Sequence, residues 1–297
     1  MKPIEVDLGE ITKQIKALYG ETVSEDVIEK EVMREVIYRA ADQLLMAKEL
    51  VVIKQFDDLL AKWAYPKDLQ ASYPVAEGAL AEYAGPLEWK EFTMELKKAQ
   101  IRFMITDEAK IRQLGKYQLD FTQRKAAEAL AKLKEDNIIE RLVAGAHHSF
   151  AASAAWTSAS ASQITKDIAD AFEYIIKNGY ISMADLKSAK VVVPPEVWGE
   201  ITAIQEINNI KQSIKDYVKS HWGVDIQFTT SSKLSDNALV LVPSELTAIH
   251  GVLKPGKIPL SEKRRVHGRG DEFIISQYFE TVVVPETGRI VKITDVY

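Results

Sequence analysis

The amino-acid sequence predicts an α+β protein in which one sheet-plus-helix domain is interrupted by an inserted α/β domain. Three observations lead to this prediction: a long helical pattern at 117–145, alternating helix and strand patterns within 165–250, and a strand pattern at 273–296. The terminal strands carry too many apolar side chains to be stable as an isolated pair in water. We therefore expect them to complete a sheet that begins before the long helix.

The composition limits the class of protein. A chain of 297 residues is long enough for one large or two ordinary domains, and its 46% hydrophobic and 27% charged residues are typical of globular proteins. The absence of cysteine excludes disulfides, thiolate metal sites and cysteine nucleophiles. No apolar run approaches the ~20 residues of a membrane span, and the first residues lack the apolar region of a signal peptide. The net charge of −5 does not by itself indicate nucleic-acid binding.

The N-terminal residues 1–63 are predicted to form a helical arm. A short amphipathic helix ends at Gly20, and Ser24 is a suitable N-cap for a longer helix. The longer helix is apolar enough to require a packing partner, either elsewhere in the fold or on a neighbouring subunit.

The next region combines a predicted loop with two strand patterns. Prolines and glycines indicate that 64–88 is mostly loop. Apolar residues then alternate with polar ones at 92–96 and at 101–105, which predicts two long arms of one hairpin-like element.

The segment from Tyr117 to Gly145 contains no proline and no internal glycine, which predicts an unusually long helix. Gly145 is suited to ending it in the left-handed conformation. At helical period one side is apolar and consists of Ala127, Leu130, Ala131, Ile138 and Leu142. The other side carries Lys125, Lys132, Asp136 and Glu140. This pattern predicts a rod on which two flanking regions are mounted.

The second half of the chain reads as a separate α/β region followed by two terminal strands. The alanine- and serine-rich segment 147–163 is interpreted as a surface loop. Helices are then predicted from Thr165, from Pro194 and along Ile207, Ile210, Ile214 and Tyr217, with strands at 189–193, 226–229 and 238–242. A basic loop at 261–270 precedes strands at 273–284 and 289–296, which are predicted to form a hairpin added to the 92–105 strands.

Residues that could carry catalysis do not form a recognisable set. The adjacent His147 and His148 diverge on a regular helix, and no third ligand lies at a usable spacing for a metal. Asp107 and Glu108 lie at a strand-to-helix turn, where capping is the more common role of a carboxylate. We therefore predict no enzyme activity, no cofactor and no metal.

The order and spacing of several segments resemble the Hong Kong-type capsid fold of tailed-phage major capsid proteins, a fold shared by encapsulin shells. The first segment, IRFMITDEAKIRQLGKYQLDFTQRKAAEALAKLKEDNIIERLVAG, is similar to the strand, acidic turn and spine helix of the peripheral domain. The next two, TKDIADAFEYIIKNGY and AKVVVPPEVWGEI, are similar to the opening of the axial domain. The closing strands are represented by SDNALVLVPS and DEFIISQYFETVVVPETGRIVKITDVY.

This resemblance implies a division of the chain and a function. The implied parts are an N-terminal arm at 1–63, an extended intersubunit loop at 64–97, a peripheral domain with the spine helix at 98–164, an axial domain at 165–260, and C-terminal strands at 261–297 that return to the peripheral domain. The chain would then assemble with itself into pentamers and hexamers of a closed icosahedral shell around a viral genome. Such a protein is part of the virion and is assembled in the host cytoplasm.

Two groups of residues are candidates for contacts in such a shell. The aromatic residues Trp63, Tyr65, Tyr73, Tyr83 and Trp89 lie in a stretch with few core partners of its own, which favours an intersubunit anchor over a local core. The basic residues Lys263, Arg264, Arg265 and Arg269 could contact packaged double-stranded DNA on the inner face. Ion pairing or a solvated loop is the favoured interpretation of this basic group.

Two other functions stay open at this stage. An encapsulin shell that encloses a cargo protein has the same fold, although the long helical arm favours a virus. An α+β enzyme or ligand-binding protein without a recognisable site is the alternative from another class.

Overall fold

A computed structural model of the chain describes residues 8–19, 25–66, 89–108, 115–179, 181–207 and 210–297. The helices are α1 Leu8–Tyr19, α2 Glu25–Leu44, α3 Gly115–Ala144, α4 Ala161–Asn178, α5 Met183–Leu186, α6 Pro195–Thr202 and α7 Ile214–Trp222. Short 3₁₀ helices lie at Met46–Glu49 and Pro255–Lys257. No described helix combines the length and hydropathy that crossing a membrane requires.

The strands within the described residues belong to four sheets. They are β1 Val52–Phe56, β2 Leu60–Pro66, β3 Trp89–Glu95, β4 Lys97–Thr106, β5 His148–Ala151, β6 Lys190–Val193, β7 Ile204–Ile207, β8 Ile210–Ser213, β9 Asp225–Phe228, β10 Ala238–Leu241, β11 Ala248–Leu253, β12 Glu262–Val266, β13 Gly270–Val283 and β14 Ile290–Thr294. The first sheet has the order β1-β11-β13-β12, with β4 also paired to β13. The second sheet has the order β5-β14-β10-β6-β9, and β2-β3 and β7-β8 are separate two-stranded sheets.

Helix α3 connects the two large sheets, as the sequence predicts for the rod. Its N-terminal half packs Ala127, Leu130 and Ala131 into the core of the first sheet. Its C-terminal half packs Ile138 and Leu142 against buried side chains of the second sheet. All five residues of the predicted apolar side are at most 5% exposed, so the predicted buried face is confirmed.

The two N-terminal helices pack on their own subunit. Helix α2 buries Met33, Ile37 and Ala41 in the same core as the N-terminal half of α3. The ammonium of the buried Lys134 on α3 lies 2.6 Å from the carboxylate of Asp42, which fixes the C-terminal end of α2. The sequence allows α2 to pack either on its own fold or on a neighbouring subunit. In the structure it packs on its own fold.

Strand β13 joins the first sheet as predicted. It pairs with β4 from Gly270↔Thr106 to Phe279↔Lys97, so the C-terminal part of the chain completes a sheet that begins before α3. The stacked rings of Phe103 and Phe273, 5.4 Å apart, lie at a directly opposed pair of this ladder. This pairing spans the whole inserted domain.

The predicted return of both terminal strands is wrong for β14. This strand pairs with β10 and β5 in the second sheet and does not form a hairpin with β13. The reverse holds for β11, which lies within the predicted 165–260 region but pairs with β13 and β1 of the first sheet. The physical reason is burial, because Ile290, Val291 and Ile293 of β14 are fully buried between the inserted domain and α3.

Three other sequence interpretations require correction. Strand β3 pairs with β2 rather than with β4, so the 92–96 and 101–105 patterns are not two arms of one hairpin. Ile207 and Ile210 lie on the paired strands β7 and β8, and the helix begins only at Ile214. The segment 147–163 is not simply a surface loop, because 148–151 forms β5 and Trp156 is fully buried.

Gly270 lies where β13 is paired on both sides, and we expect its replacement by alanine to destabilise the subunit by roughly 3 kcal/mol or more. Its φ is +150°, and a Cβ atom there would lie 2.0 Å from the carbonyl oxygen of Ile105. Urea unfolding of the unassembled subunit measures the effect.

Gly199 provides the matched control for this experiment. It lies in α6, and a Cβ atom there would meet nothing within 4 Å. Gly199→Ala is therefore expected to raise stability by up to about 1 kcal/mol through helix propensity. Equal unfolding midpoints for the two variants would contradict the backbone constraint at Gly270.

Candidate functional site

The two-stranded sheet β2-β3 is the base of an extended hairpin, which we define as residues 60–95. Its ladder runs from Leu60↔Glu95 to Pro66↔Trp89, so 67–88 connects two strands that are already adjacent. An isolated two-stranded sheet is marginal in water. The base is stabilised by burial of Ala61 and Met94 in the core of the first sheet.

Contacts with the first sheet and with the C-terminal segment fix the base of the extended hairpin. A Cβ atom at Gly251 on β11 would lie 2.5 Å from the Cε atom of Met94, so glycine allows β3 to cross β11 closely. Lys90 on β3 forms an ion pair with Glu286, which lies between β13 and β14. The hairpin is therefore held at two points by its own subunit.

The five aromatic candidates have different positions. Trp63 packs on its own subunit, with the Lys54 ammonium 3.8 Å from its ring centroid and the Phe56 ring 6.5 Å away in an edge-on arrangement. The backbones of Tyr65 and Trp89 lie at the outer end of the β2-β3 ladder. Tyr73 and Tyr83 lie outside the described residues. An intersubunit role for the aromatic residues as a set stays a prediction.

The four basic candidates lie on and next to the β12-β13 connection, and acidic residues offset much of their charge. The guanidinium of Arg265 lies 2.6 and 2.8 Å from the two carboxylate oxygens of Asp107 and 3.1 Å from Asp271. Hydrogen bonds to these two carboxylates raise the pKa of Arg265. Arg264 is paired with Glu262, whereas Arg269 is exposed and has no ion-pair partner among the described residues. Lys263 lies over the Phe273 ring at 5.6 Å.

Both histidines of the adjacent pair make contacts within their own subunit. Nε2 of His147 donates to the carbonyl oxygen of Val284 at 2.8 Å, and Nδ1 accepts from the backbone N–H of Ile290 at 3.2 Å. Burial lowers the pKa of His147, so the neutral ring is favoured. The ring of His148 stacks on Tyr174 at 4.1 Å. Within the described residues, no group of three or more metal-ligating side chains is present.

A buried polar network, which the sequence reasoning missed, lies beside the base of the extended hairpin. Glu280 accepts from Asn137 at 2.9 Å and from Arg141 at 3.0 Å. Thr281 donates to Asn137 at 2.8 Å and also lies 2.8 Å from Nδ1 of the buried His250. The available signal was the polar pair Glu280 and Thr281 between the apolar residues Phe279 and Val282.

This network adjoins a cavity of about 460 Å³ and contains two strongly shifted groups. Burial acts to raise the pKa of Glu280, but hydrogen bonds from Arg141, Asn137 and the Thr281 N–H lower it to about 2. Burial, together with the charge of Lys134, lowers the pKa of His250 to about 3, against the opposing effect of Glu280. The network is therefore built for an ionised carboxylate and a neutral imidazole.

These pKa values predict that acid destabilises the subunit. An unfolded histidine titrates near 6.5 and His250 only near 3, so between these values the unfolded chain binds the extra proton and stability falls as pH falls. Glu280 adds a further loss as pH falls below about 4.5 toward about 2. Between pH 6.5 and pH 3, His250 alone lowers the free energy of unfolding by up to about 1.4 kcal/mol for each unit that the pH falls.

Urea unfolding of the unassembled subunit at pH 6 and at pH 4.5 measures this contribution. His250→Asn is expected to flatten the decrease by about 1 kcal/mol per pH unit. His267→Asn, at an exposed position of the β12-β13 turn, is the matched control and is expected to follow the wild type. Parallel curves for wild type and His250→Asn would show that His250 is not buried in its neutral form.

Comparison with known proteins adds a family match and a set of structural neighbours. A family model described as "Phage capsid protein" matches residues 90–293. No curated protein sequence matches the chain.

Three solved structures illustrate the structural likeness. The chain superposes on a virus-like particle from Pyrococcus furiosus with a TM-score of 0.61 and 11% identity, covering 88% of this chain and 97% of the other. The capsid of cyanophage P-SCSP1u gives a TM-score of 0.57 and 12% identity over 84% and 88%. The capsid of Myoviridae phage XM1 gives 0.57 and 14% over 84% and 91%. These likenesses confirm the fold that the sequence resemblance implies.

Proposed function

The chain belongs to the phage capsid protein family as a structural major capsid protein, and on this premise we propose that its copies close an icosahedral shell around a viral genome. The observation that carries the proposal is the family match, which begins in β3 and extends into β14. The match therefore includes α3, the inserted domain and nearly all of both large sheets. Pentamers and hexamers of the chain are the proposed building blocks.

The extended hairpin is the proposed contact between neighbouring building blocks. Its base is fixed by Gly251 and by the Lys90–Glu286 pair, so the strands that flank 67–88 are held on the subunit that carries them. We assign the contact with the neighbouring copy to this connecting segment and its tyrosines. Trp63 is assigned to the base, because its ring packs on Lys54 and Phe56 of the same subunit.

The N-terminal helices are assigned to the subunit rather than to an intersubunit arm. Helix α2 is held at two points: Glu31 accepts from the backbone N–H of Ser261 at 2.8 Å, and Asp42 pairs with Lys134. Releasing α2 would leave the buried Glu31 and Lys134 without these partners, which is costly.

Packaged double-stranded DNA is the proposed content of the shell. The basic cluster is not assigned as its main contact, because Asp107, Asp271 and Glu262 already pair with two of its arginines. The proposal assigns the chain no catalytic role and no cofactor. It makes the chain a component of the virion that is assembled in the host cytoplasm.

Sedimentation and negative-stain microscopy of the purified protein test the proposal. We expect megadalton particles with icosahedral outlines, and nuclease-protected double-stranded DNA in particles made during infection. Closed particles that enclose a specific protein instead would favour the encapsulin alternative. A small oligomer at every concentration and salt condition would exclude a shell and favour an enzyme or ligand-binding protein.

A further inference from the structure

The β7-β8 hairpin of the inserted domain presents an exposed apolar side chain beside two charges. Ile204 is 77% exposed, the most exposed large apolar side chain among the described residues. Glu206 lies on the same side of β7, two residues further on, and is directly opposite Lys211 of β8. All three side chains are exposed. We call this set the knob: Ile204, Glu206 and Lys211.

A pocket on the same domain is lined by apolar side chains and edged by two charges. It has a volume of about 260 Å³ and lies between α4, α5 and the C-terminal end of α7. Phe172, Leu186 and Trp222 form much of its wall, and Ile176 at its edge is 39% exposed. Glu173 and Lys177, one turn apart on α4, form an exposed ion pair at the same edge. We call this site the helical pocket.

The knob and the helical pocket are complementary in size and in charge. An apolar cavity of about 150 Å³ is large enough for a benzene ring, so a pocket of this volume accepts a branched aliphatic side chain. Glu206 and Lys211 are neighbours across the hairpin, just as Glu173 and Lys177 are neighbours along α4. Each set therefore offers one carboxylate and one ammonium to the other.

We propose that Ile204 of one copy enters the helical pocket of the next copy, with Glu206 facing Lys177 and Lys211 facing Glu173. This inference rests on the proposed shell function and specifies one contact within its rings. The occupant is a second copy of this chain, because the exposed Ile204 does not fill the pocket of its own subunit. The knob and the pocket are different surfaces, so the contact is head-to-tail and can close into a ring.

Disulfide trapping tests the contact directly, because the natural chain contains no cysteine. The double variant Ile204→Cys with Ile176→Cys, mildly oxidised, is expected to give a ladder of linked subunits on a non-reducing gel. Ile210→Cys with Ile176→Cys is the matched control, since Ile210 points to the opposite side of the hairpin and is also exposed, at 51%. The control is expected to remain monomeric.

Each possible pattern on the gel either supports or overturns the proposed contact. A ladder extending to pentamers or hexamers supports the head-to-tail contact. Dimers without higher species would indicate a self-reciprocal contact and would overturn the proposal. Crosslinking no greater than in the control would overturn it as well.

Charge exchange provides an independent test by assembly. Reversing the knob charges, Glu206→Lys with Lys211→Glu, is expected to raise the protein concentration required for assembly by about tenfold. Reversing the pocket charges, Glu173→Lys with Lys177→Glu, is expected to have the same effect, and combining all four substitutions is expected to restore assembly. Wild-type assembly without rescue by the fourfold variant would overturn the proposal. Failure of the wild-type chain to form particles would count against the shell function. The head-to-tail contact would then still be tested by the presence or absence of the disulfide ladder.

Discussion

Replacing Leu130 by aspartate is expected to prevent the subunit from folding. Leu130 is 1% exposed and lies in the core between α2, α3 and the first sheet. The substitution removes a buried side chain, which costs about 2–5 kcal/mol, and adds a buried carboxylate without a partner, which costs several more. The sum is comparable to the whole stability of a domain, about 5–15 kcal/mol. Soluble yield and thermal unfolding by circular dichroism measure the effect.

Lys132→Asp is the matched control, because Lys132 lies on the same helix and is exposed. The new carboxylate would lie one turn from Glu128 and Asp136, and each unfavourable pair costs about 0.5 kcal/mol or less. We therefore expect soluble, folded protein from this variant. Equal loss of soluble protein in both variants would show that the helix does not tolerate charge on either side and would contradict the assigned buried face.

Removal of the segment between β2 and β3 is expected to abolish particles while leaving the subunit folded. Pro66 and Trp89 are directly opposite each other, so an Asn-Gly turn can replace residues 67–88 without changing the ladder. The subunit keeps its core contacts at Ala61 and Met94. The shell loses the proposed contact with the neighbouring copy. Because a stable interface buries roughly 1,200–2,000 Å² in total, we expect the loss of this contact to prevent assembly.

Two measurements separate folding from assembly in this variant. Urea unfolding of the unassembled subunit is expected to match the wild type within about 1 kcal/mol. Sedimentation and negative-stain microscopy are expected to show subunits or small oligomers where the wild type gives particles. Intact particles from the shortened chain would mean that the extended hairpin does not connect the building blocks.

Locally determined features of the fold could be predicted from the sequence. Helix α3 was correct to within two residues at each end, because a long segment without proline or internal glycine and with a continuous apolar side has few alternatives. The third helix predicted in the inserted domain is correct only from Ile214 onward. Before Ile214 the apolar pattern is too short to exclude strands. Ile207 and Ile210 fit a helical spacing, but they are directly opposed residues of the paired strands β7 and β8.

Contacts between segments that are distant in the sequence could not be predicted from residue patterns. The alternation within β14 indicates a strand but does not identify the sheet that it joins. The alanine- and serine-rich sequence around Trp156 gave no sign that this side chain is buried. In the structure its indole N–H donates to the buried Asp167 at 2.9 Å. Among the candidate site residues, composition did not distinguish Trp63, which packs on its own subunit, from aromatic residues in the connecting segment.

The position of β14 affects how the chain folds during synthesis. This strand lies between β5 and β10, inside the second sheet, and it follows every other strand of that sheet in the chain. Until it emerges, a nascent chain has a gap in that sheet and exposes the apolar partners of Ile290, Val291 and Ile293. A chain that stops before β14 therefore leaves the second sheet incomplete, and its exposed apolar side chains favour aggregation over assembly.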